Sequence, residues 1–150
     1  MGRLDEAAAQ LQKVVEIQPD NEVAQNNLGS VLLRMGRVDE AIGHFHSALK
    51  LQPNSAETHN NIAGVLFSRG QMDEAIHEFQ EAARLQTDGP EIHRNLGYAL
   101  GRQGRLDEAI RELQEALRLK PDYAEASNNL VLALGMKEKQ TNQPAASTKP

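Results

Sequence analysis

Adjacent carboxylates recur along the chain and are the first residues whose types suggest chemistry. Asp39-Glu40 and Asp107-Glu108 have the paired acids that general acid–base catalysis uses. Both pairs, however, stand at the same place of a repeated segment, at the predicted start of a helix. Negative charge there stabilises the amino end of the helix dipole. The pattern therefore favours a structural role for the acidic pairs.

Histidines are the next candidates. His44 and His46 are two residues apart, so they point to different sides of a helix and cannot share a metal ion. The chain has no cysteine, which excludes disulfides and thiolate ligands. It also lacks a nucleophile elbow and a glycine-rich phosphate loop. We therefore expect a protein that is not an enzyme and that uses no metal or cofactor.

Charge and composition narrow the partners. Lys and Arg number 16 and Asp and Glu 21, for a net charge of −5, which disfavours nucleic acid because affinity for phosphates needs clustered basic groups. No apolar run is long enough for a signal peptide or a membrane span, so the sequence predicts a soluble cytoplasmic protein. Aromatic residues make up only 3%, which suits closely packed layers of helices.

A repeat of 34 residues organises the chain. Gly2, Gly36, Gly70 and Gly104 each open a nearly identical segment that ends in Asp-Glu-Ala, and no insertion breaks the register. Self-similarity at such a period is the signature of a helical repeat protein. The elements that must position any functional residue are therefore the helices of this repeat.

Each period divides into two predicted helices, called here helix A and helix B. In the first full unit, helix A is predicted from Glu22 to Met35 by its apolar stripe. Gly36 supplies the left-handed residue that commonly ends a helix. Helix B follows and stops before Pro53, which cannot continue it. Pro90 fits the first position of a later helix A, where no N–H partner is needed.

Small residues alternate with large ones where these helices would cross. The small positions of helix A are Gly29, Ala63 and Gly97. Those of helix B are Ala41, Ala75 and Ala109. The large residues beside them are Phe45, Phe79 and Leu113. Small residues let two backbones approach closely, so the pattern predicts tightly packed helix pairs.

This pattern resembles the tetratricopeptide repeat family over about residues 2–136. The matching residues of two units are Leu28-Gly29, Ala41, Phe45, Ala48, Pro53, Leu96-Gly97, Ala109, Leu113, Ala116 and Pro121. Mild departures are Ala63 for Gly and Thr87 for Pro. The family's large aromatic at the fourth position is replaced by Gln25, His59, His93 and Ser127, and we interpret the two histidines as packing residues.

The resemblance implies an all-α fold, a right-handed α–α superhelix (a tetratricopeptide solenoid) of antiparallel helix hairpins. Its expected parts are a half unit at 1–21, full units at 22–55, 56–89 and 90–123, and a terminal helix at 124–136. A disordered tail is expected at 137–150, because that segment has little apolar surface to bury.

The same resemblance places helix A on the concave side and makes it the candidate ligand surface. Asparagine occupies the sixth place of every repeat unit and the fifth place of most of them. An amide offers donors and an acceptor to a peptide backbone. A second reading is that these amides only satisfy neighbouring backbone groups. The residues expected to bind a ligand are Asn26, Asn27, Arg34, Asn60, Asn61, Phe67, Arg94, Asn95, Tyr98, Arg102, Asn128 and Asn129.

One subclass of similar fold clamps the C-terminal carboxylate of a bound peptide with five polar residues. The corresponding places here hold Asn26, Ser30, Asn61, Arg94 and Tyr98. Only Asn61 and Arg94 suit the role, so a carboxylate clamp is not expected.

Two functions therefore remain. The first is a non-catalytic scaffold that binds an extended peptide or protein segment. The second is a substrate-docking segment of a larger enzyme, since the Asn row resembles the superhelix of O-linked N-acetylglucosamine transferases. An RNA-binding helical repeat is disfavoured by the acidic charge balance, and adsorption on a membrane has no support.

The array begins with a helix B and ends with a helix A. Either the chain is part of a longer array, or the incomplete ends join head to tail between two copies. The composition does not separate these alternatives.

Overall fold

The computed structural model describes residues 2–142, and the regular secondary structure in this range is α-helical. No helix in this range combines the length and the apolarity needed to cross a bilayer. The expectation of an all-α chain is confirmed. The helices are α1 (Gly2–Ile17), α2 (Glu22–Arg34), α3 (Val38–Leu51), α4 (Ala56–Ser68), α5 (Met72–Leu85), α6 (Pro90–Arg102), α7 (Leu106–Leu119) and α8 (Ala124–Asn142). The even-numbered helices are the predicted helices A, and the odd-numbered ones are the helices B.

The chain forms two compact units, Met1–Gln86 and Thr87–Pro150. They are called unit 1 and unit 2 below and are distinct from the 34-residue repeat units. In unit 1, each helix from α1 to α5 packs on the next one along the chain. In unit 2, α6 packs on α7, and α8 contacts both. Within each unit, consecutive helices are therefore also neighbours in space, as expected of helical hairpins joined by short turns.

The glycines that open each repeat end the preceding helix. Gly36, Gly70 and Gly104 have φ values of 78°, 76° and 82°, in the left-handed region where a Cβ atom is unfavourable. Helix starts are set by other means: Asn21 Oδ1 accepts the backbone N–H of Ala24 at 2.9 Å, which caps α2. The turns predicted from the sequence are therefore present at the predicted glycines.

Helices A and B cross where a side chain is missing. A Cβ atom added to Gly29 would lie 2.7 Å from Phe45 Cε1 and 3.1 Å from the carbonyl oxygen of Ala41. A Cβ atom on Gly97 would lie 2.7 Å from Leu113 Cγ. The large partners are almost fully buried. The predicted alternation of small and large residues is confirmed at these two crossings.

The last helix is longer than the sequence predicted. Thirty-four residues after Gly104 stands Glu138, so the left-handed glycine that ends the other helices A is missing. The helix α8 therefore continues to Asn142, whereas a disordered tail was expected from Lys137 onward. Lys137 forms an ion pair with Asp107 at the start of α7. The remainder of the expected tail, 143–150, lies outside the described residues.

The crossing at Gly97 gives a direct prediction. Gly97→Leu places a large side chain against Leu113 and should lower the free energy of unfolding by about 1–3 kcal/mol or more. The matched control is Gly64→Leu, because a Cβ atom at exposed Gly64 meets no atom within 4 Å. Urea unfolding followed by circular dichroism compares the two. Equal midpoints for the two variants would contradict the crossing as the source of stability.

Candidate functional site

The acidic pairs are held by basic neighbours. Glu40 accepts two hydrogen bonds of 2.6 Å from the Arg37 guanidinium, and these bonds lower the pKa of Glu40 below its ordinary value. Arg105 lowers the pKa of Glu108 in the same way. A carboxyl group with a lowered pKa is ionised at neutral pH and is a poor general acid. The geometry agrees with the structural role expected from the sequence.

The fourth position of each full repeat unit forms a polar bridge where the family's large aromatic residue is missing. His59 Nε2 lies 3.0 Å from the Pro53 carbonyl oxygen, and its Nδ1 lies 2.6 Å from Glu78 Oε2. The carbonyl oxygen can only accept, so Nε2–H donates to it. The other ring nitrogen contacts the Glu78 carboxylate at the same time. His59 therefore ties the turn before helix A to helix B.

His93 repeats this bridge in unit 2. Its Nε2 lies 3.2 Å from the Thr87 carbonyl oxygen, and its Nδ1 lies 2.7 Å from Glu112 Oε2. The interpretation of the two histidines as packing residues was therefore incomplete. The signal available in the sequence was the spacing of Glu78 and Glu112, which are also 34 residues apart.

Gln25 makes the corresponding bridge in the first full unit with the roles exchanged. Its Nε2 donates to the Pro19 carbonyl oxygen at 3.0 Å, so its Oε1 must accept. His44 Nδ1 lies 2.7 Å from that Oε1 and is therefore the donor. Burial lowers the pKa of His44, an effect partly opposed by the nearby Glu40 carboxylate. The ring is thus held in its neutral form with the proton on Nδ1.

Asn26 does not face solvent, in contrast to the expectation from the sequence. It is 3% exposed, its Nδ2 donates to Glu57 Oε1 at 2.8 Å, and its Oδ1 accepts from Thr58 Oγ1 at 3.2 Å. Asn61 Nδ2 donates to the same Oδ1 at 3.0 Å and to Ser30 Oγ at 3.2 Å. Asn26 therefore ties α2 to α4 and is buried beneath the surface that a ligand would contact.

The second reading of the asparagines expected backbone partners, whereas Asn26 and Asn61 bond to side chains. Asn61 is half-buried and joins α4 to α2. Asn27, in contrast, is exposed. Among the residues that the structure describes, no buried side-chain nitrogen or oxygen lacks a hydrogen-bond partner. The buried polar side chains of the described residues are therefore satisfied without a ligand.

In unit 2, Arg94 takes the place that Asn26 has in unit 1. Its Nε donates to the Tyr123 hydroxyl at 3.1 Å, and its guanidinium lies 5.8 Å from the ring centroid. Lys120 covers the same ring, with Nζ 4.6 Å from the centroid. Tyr123 is only 7% exposed. Arg94 is therefore half-buried and fixed by an aromatic partner.

A pocket between α6 and α8 brings predicted and unpredicted residues together. Tyr98, Arg102 and Asn129 were expected to bind a ligand, and all three line a cavity of about 140 Å³. Arg102 Nη1 donates to the Tyr98 hydroxyl at 3.3 Å. Leu132 and Met136 line the same cavity but were not predicted as site residues. They occupy the ninth and thirteenth places of the last repeat unit, counted from Ala124.

The arginines of helix A differ from most others in their partners. Five arginines in turns and on helices B form ion pairs with carboxylates, namely Arg37, Arg69, Arg84, Arg105 and Arg118. Within residues 2–142, the helix A arginines Arg34, Arg94 and Arg102 have no carboxylate partner. Helix A therefore presents cationic groups whose charge is not neutralised within the described chain.

The other predicted residues are divided between exposed and half-buried positions. The exposed ones are Asn27, Arg34, Tyr98, Arg102 and Asn128. The half-buried ones are Asn60, Asn61, Phe67, Arg94, Asn95 and Asn129. Six of the twelve lie in unit 1 and six in unit 2.

These features define an α-helical repeat protein with a polar, cation-bearing helix A surface in each unit. Sequence models of the tetratricopeptide repeat match residues 20–88 and 54–122, and a further model of the same repeat matches residues 1–36. The chain belongs to the tetratricopeptide repeat family. No curated protein sequence matches it significantly.

Solved structures of the same fold are similar over most of the chain. PilF of Pseudomonas aeruginosa has a TM-score of 0.79 at 21% identity, covering 97% of this chain and 71% of its own. YrrB, described as a tetratricopeptide protein with an unusual peptide-binding site, has a TM-score of 0.75 at 24% identity, covering 93% and 72%. The first tetratricopeptide domain of Spaghetti (RPAP3), bound to the HSP90 peptide SRMEEVD, has a TM-score of 0.73 at 21% identity, covering 81% and 94%. At these identities the likeness establishes the fold.

The burial of His44 predicts a dependence of stability on pH. Because its pKa is lower in the folded chain than in the unfolded one, the unfolded chain takes up a proton first as pH falls below about 6.5. Stability should therefore decrease between about pH 7.5 and 5.5, and the decrease should be smaller in His44→Gln. Thermal unfolding midpoints at the two pH values measure the difference. An identical decrease in the variant would show that other groups cause it.

Proposed function

We propose that the chain is a non-catalytic scaffold that binds an extended peptide or protein segment through the helix A surfaces of its two units. The observation that carries this proposal is the set of arginines on helix A, whose charges have no carboxylate partner within residues 2–142. Arginines elsewhere are mostly neutralised inside the chain, although its net charge is negative. Positive groups on the helix A surface of each unit of an acidic protein suit a ligand with acidic residues.

Exposed amides on the helix A surfaces of both units support an extended ligand. Asn27 in unit 1 and Asn128 in unit 2 are exposed on helix A, and an amide can both donate to and accept from a peptide group. Backbone recognition of this kind binds extended chains with little demand on sequence. Side-chain preference would then come from the arginines and from the aromatic residues of helix A, Phe67 and Tyr98.

The peptide-binding relatives agree with this assignment. The Spaghetti (RPAP3) domain is bound to an HSP90 peptide, and YrrB has a peptide-binding site. Both share the fold of this chain at low identity, so they support the class of ligand and leave its sequence open.

The second candidate is a docking segment of a larger enzyme, such as an O-linked N-acetylglucosamine transferase. It is favoured by the asparagines Asn27, Asn61, Asn95 and Asn129, which recur every 34 residues. The helix A surfaces would have the same task in that case, namely to hold an extended substrate. The sequence that flanks this chain in its gene distinguishes the two candidates.

Replacing Asn61 and Asn95 together with Ala should weaken peptide binding and leave helicity intact. The amides are half-buried, and the loss of Asn61 also loosens Asn26, which it bonds at 3.0 Å. Each neutral hydrogen bond contributes about 0.5–1.5 kcal/mol, so we expect affinity to fall roughly tenfold. The ligand is a peptide selected on the wild-type chain from a random 12-residue phage library.

The control for this experiment is Asn54→Ala, because Asn54 is exposed in the turn before α4 and lies outside helix A. Its affinity for the selected peptide should equal that of the wild type. Undiminished binding by the double variant, or a library that yields no binder, would overturn the proposed function.

The expectation that the chain has no carboxylate clamp gives an independent prediction for the peptide SRMEEVD. Asn26 stands at one clamp position and is buried, and Tyr98 stands at another. A clamp distinguishes a free C-terminal carboxylate from an amide, whereas this chain should bind the free and amidated forms equally. Isothermal titration of both forms measures the ratio. Clear preference for the free acid would show that a clamp exists.

A further inference from the structure

The pocket between α6 and α8 is too small for an independent small molecule and is mainly apolar at its base. Its volume of about 140 Å³ compares with about 300–1,000 Å³ for typical small-molecule sites. Leu113 forms part of the lining and is 1% exposed, while Leu132 and Met136 stand at the rim and are 63% and 47% exposed. A cavity of this size and lining fits one aliphatic side chain of a larger ligand.

A cation lies at the edge of this apolar pocket. Arg102 lines the cavity and donates to the hydroxyl of Tyr98, which lines it too. No carboxylate within residues 2–142 pairs with Arg102, and no acidic residue lines the pocket. A guanidinium has five N–H donors in a planar fork, so most of them remain for a carboxylate at the rim.

We infer that this pocket receives one aliphatic side chain of a partner peptide whose neighbouring residue is acidic and pairs with Arg102. The inference rests on the proposed function and specifies the ligand of unit 2. The aliphatic group covers Leu132 and Met136, which supplies affinity by removing apolar surface from water. The carboxylate beside it supplies specificity, because a basic residue at that point would face Arg102.

A second copy of the chain suits this surface less well. Head-to-tail association would pair α8 with α1 of another molecule as a helix A with a helix B. Helices A and B cross at a small residue, and even one added carbon at Gly29 or Gly97 would collide with the partner helix. The corresponding residue of α8 is Val131, and α1 has Val14 where other helices B have alanine. The internal crossings have only glycine or alanine at the helix A position, so a pair with Val131 there would pack less closely.

The experiment uses the full chain and four synthetic peptides with acetylated and amidated ends. They are a fluorescent Ser-Gly-Glu-Leu-Glu-Gly-Ser peptide and its derivatives with Ala for Leu, with Lys for both Glu, and with both changes. Fluorescence anisotropy gives the dissociation constants. The parent peptide should bind best, and each change should weaken binding roughly tenfold or more.

Matched variants of the chain assign this preference to the pocket. Leu132→Ala should lose the preference for Leu over Ala, while Leu134→Ala, on the same helix and 42% exposed but outside the pocket, should retain it. Arg102→Gln should lose the preference for Glu over Lys, whereas Arg111→Gln on α7 should retain it. All four positions are exposed, so each variant should have the helicity of the wild type.

Other outcomes overturn the inference in distinguishable ways. If the parent peptide binds equally to Leu132→Ala and to wild type, or does not bind at all, the pocket does not select this ligand. The proposed function then depends only on the phage-selected peptide and the asparagine variant. Sedimentation that shows oligomers of the wild type but monomers of Leu132→Ala assigns the pocket to a second copy instead.

Discussion

The close crossing of helix A over helix B at a glycine or alanine is the contact on which each hairpin depends. At Gly29 the neighbouring Phe45 ring and the Ala41 carbonyl oxygen occupy the space that a Cβ atom would need. Such proximity makes the two helices a single rigid pair. It also sets which residues of helix A remain on the surface, because the side that carries the glycine is always covered by helix B.

Polar bridges are a second contact that joins helix A to helix B. Where the family has a large aromatic residue, this chain joins the turn before helix A to helix B through His59 and Glu78, or through Gln25 and His44. The bridge stabilises the hairpin by directional hydrogen bonds, whereas an aromatic ring would stabilise it by burying apolar surface. Buried networks of this kind are stable only when every member is satisfied, and within the described residues this condition is met.

The polar residues of helix A differ in burial and in their partners from position to position. Asn26 is buried between helices A and serves cohesion, while Arg102 stands exposed beside an apolar pocket. The two residues belong to the same repeated helix, yet one position faces the next helix and the other faces solvent. Repetition of sequence therefore produces a regular scaffold and a surface whose binding residues differ from unit to unit.

Periodicity alone determined the helices, their turns and the small–large crossings, since these depend on residues close in sequence and on a 34-residue register without insertions. The length of α8 was not predicted, although the glycine that ends the other helices A is replaced by Glu138. Only the tertiary structure decided how far each polar side chain is buried. Whether Asn26 meets solvent or Glu57, and whether Leu132 joins Arg102 in one pocket, depends on how neighbouring helices are rotated against each other. That rotation results from packing between residues distant in the chain, which a single sequence does not contain.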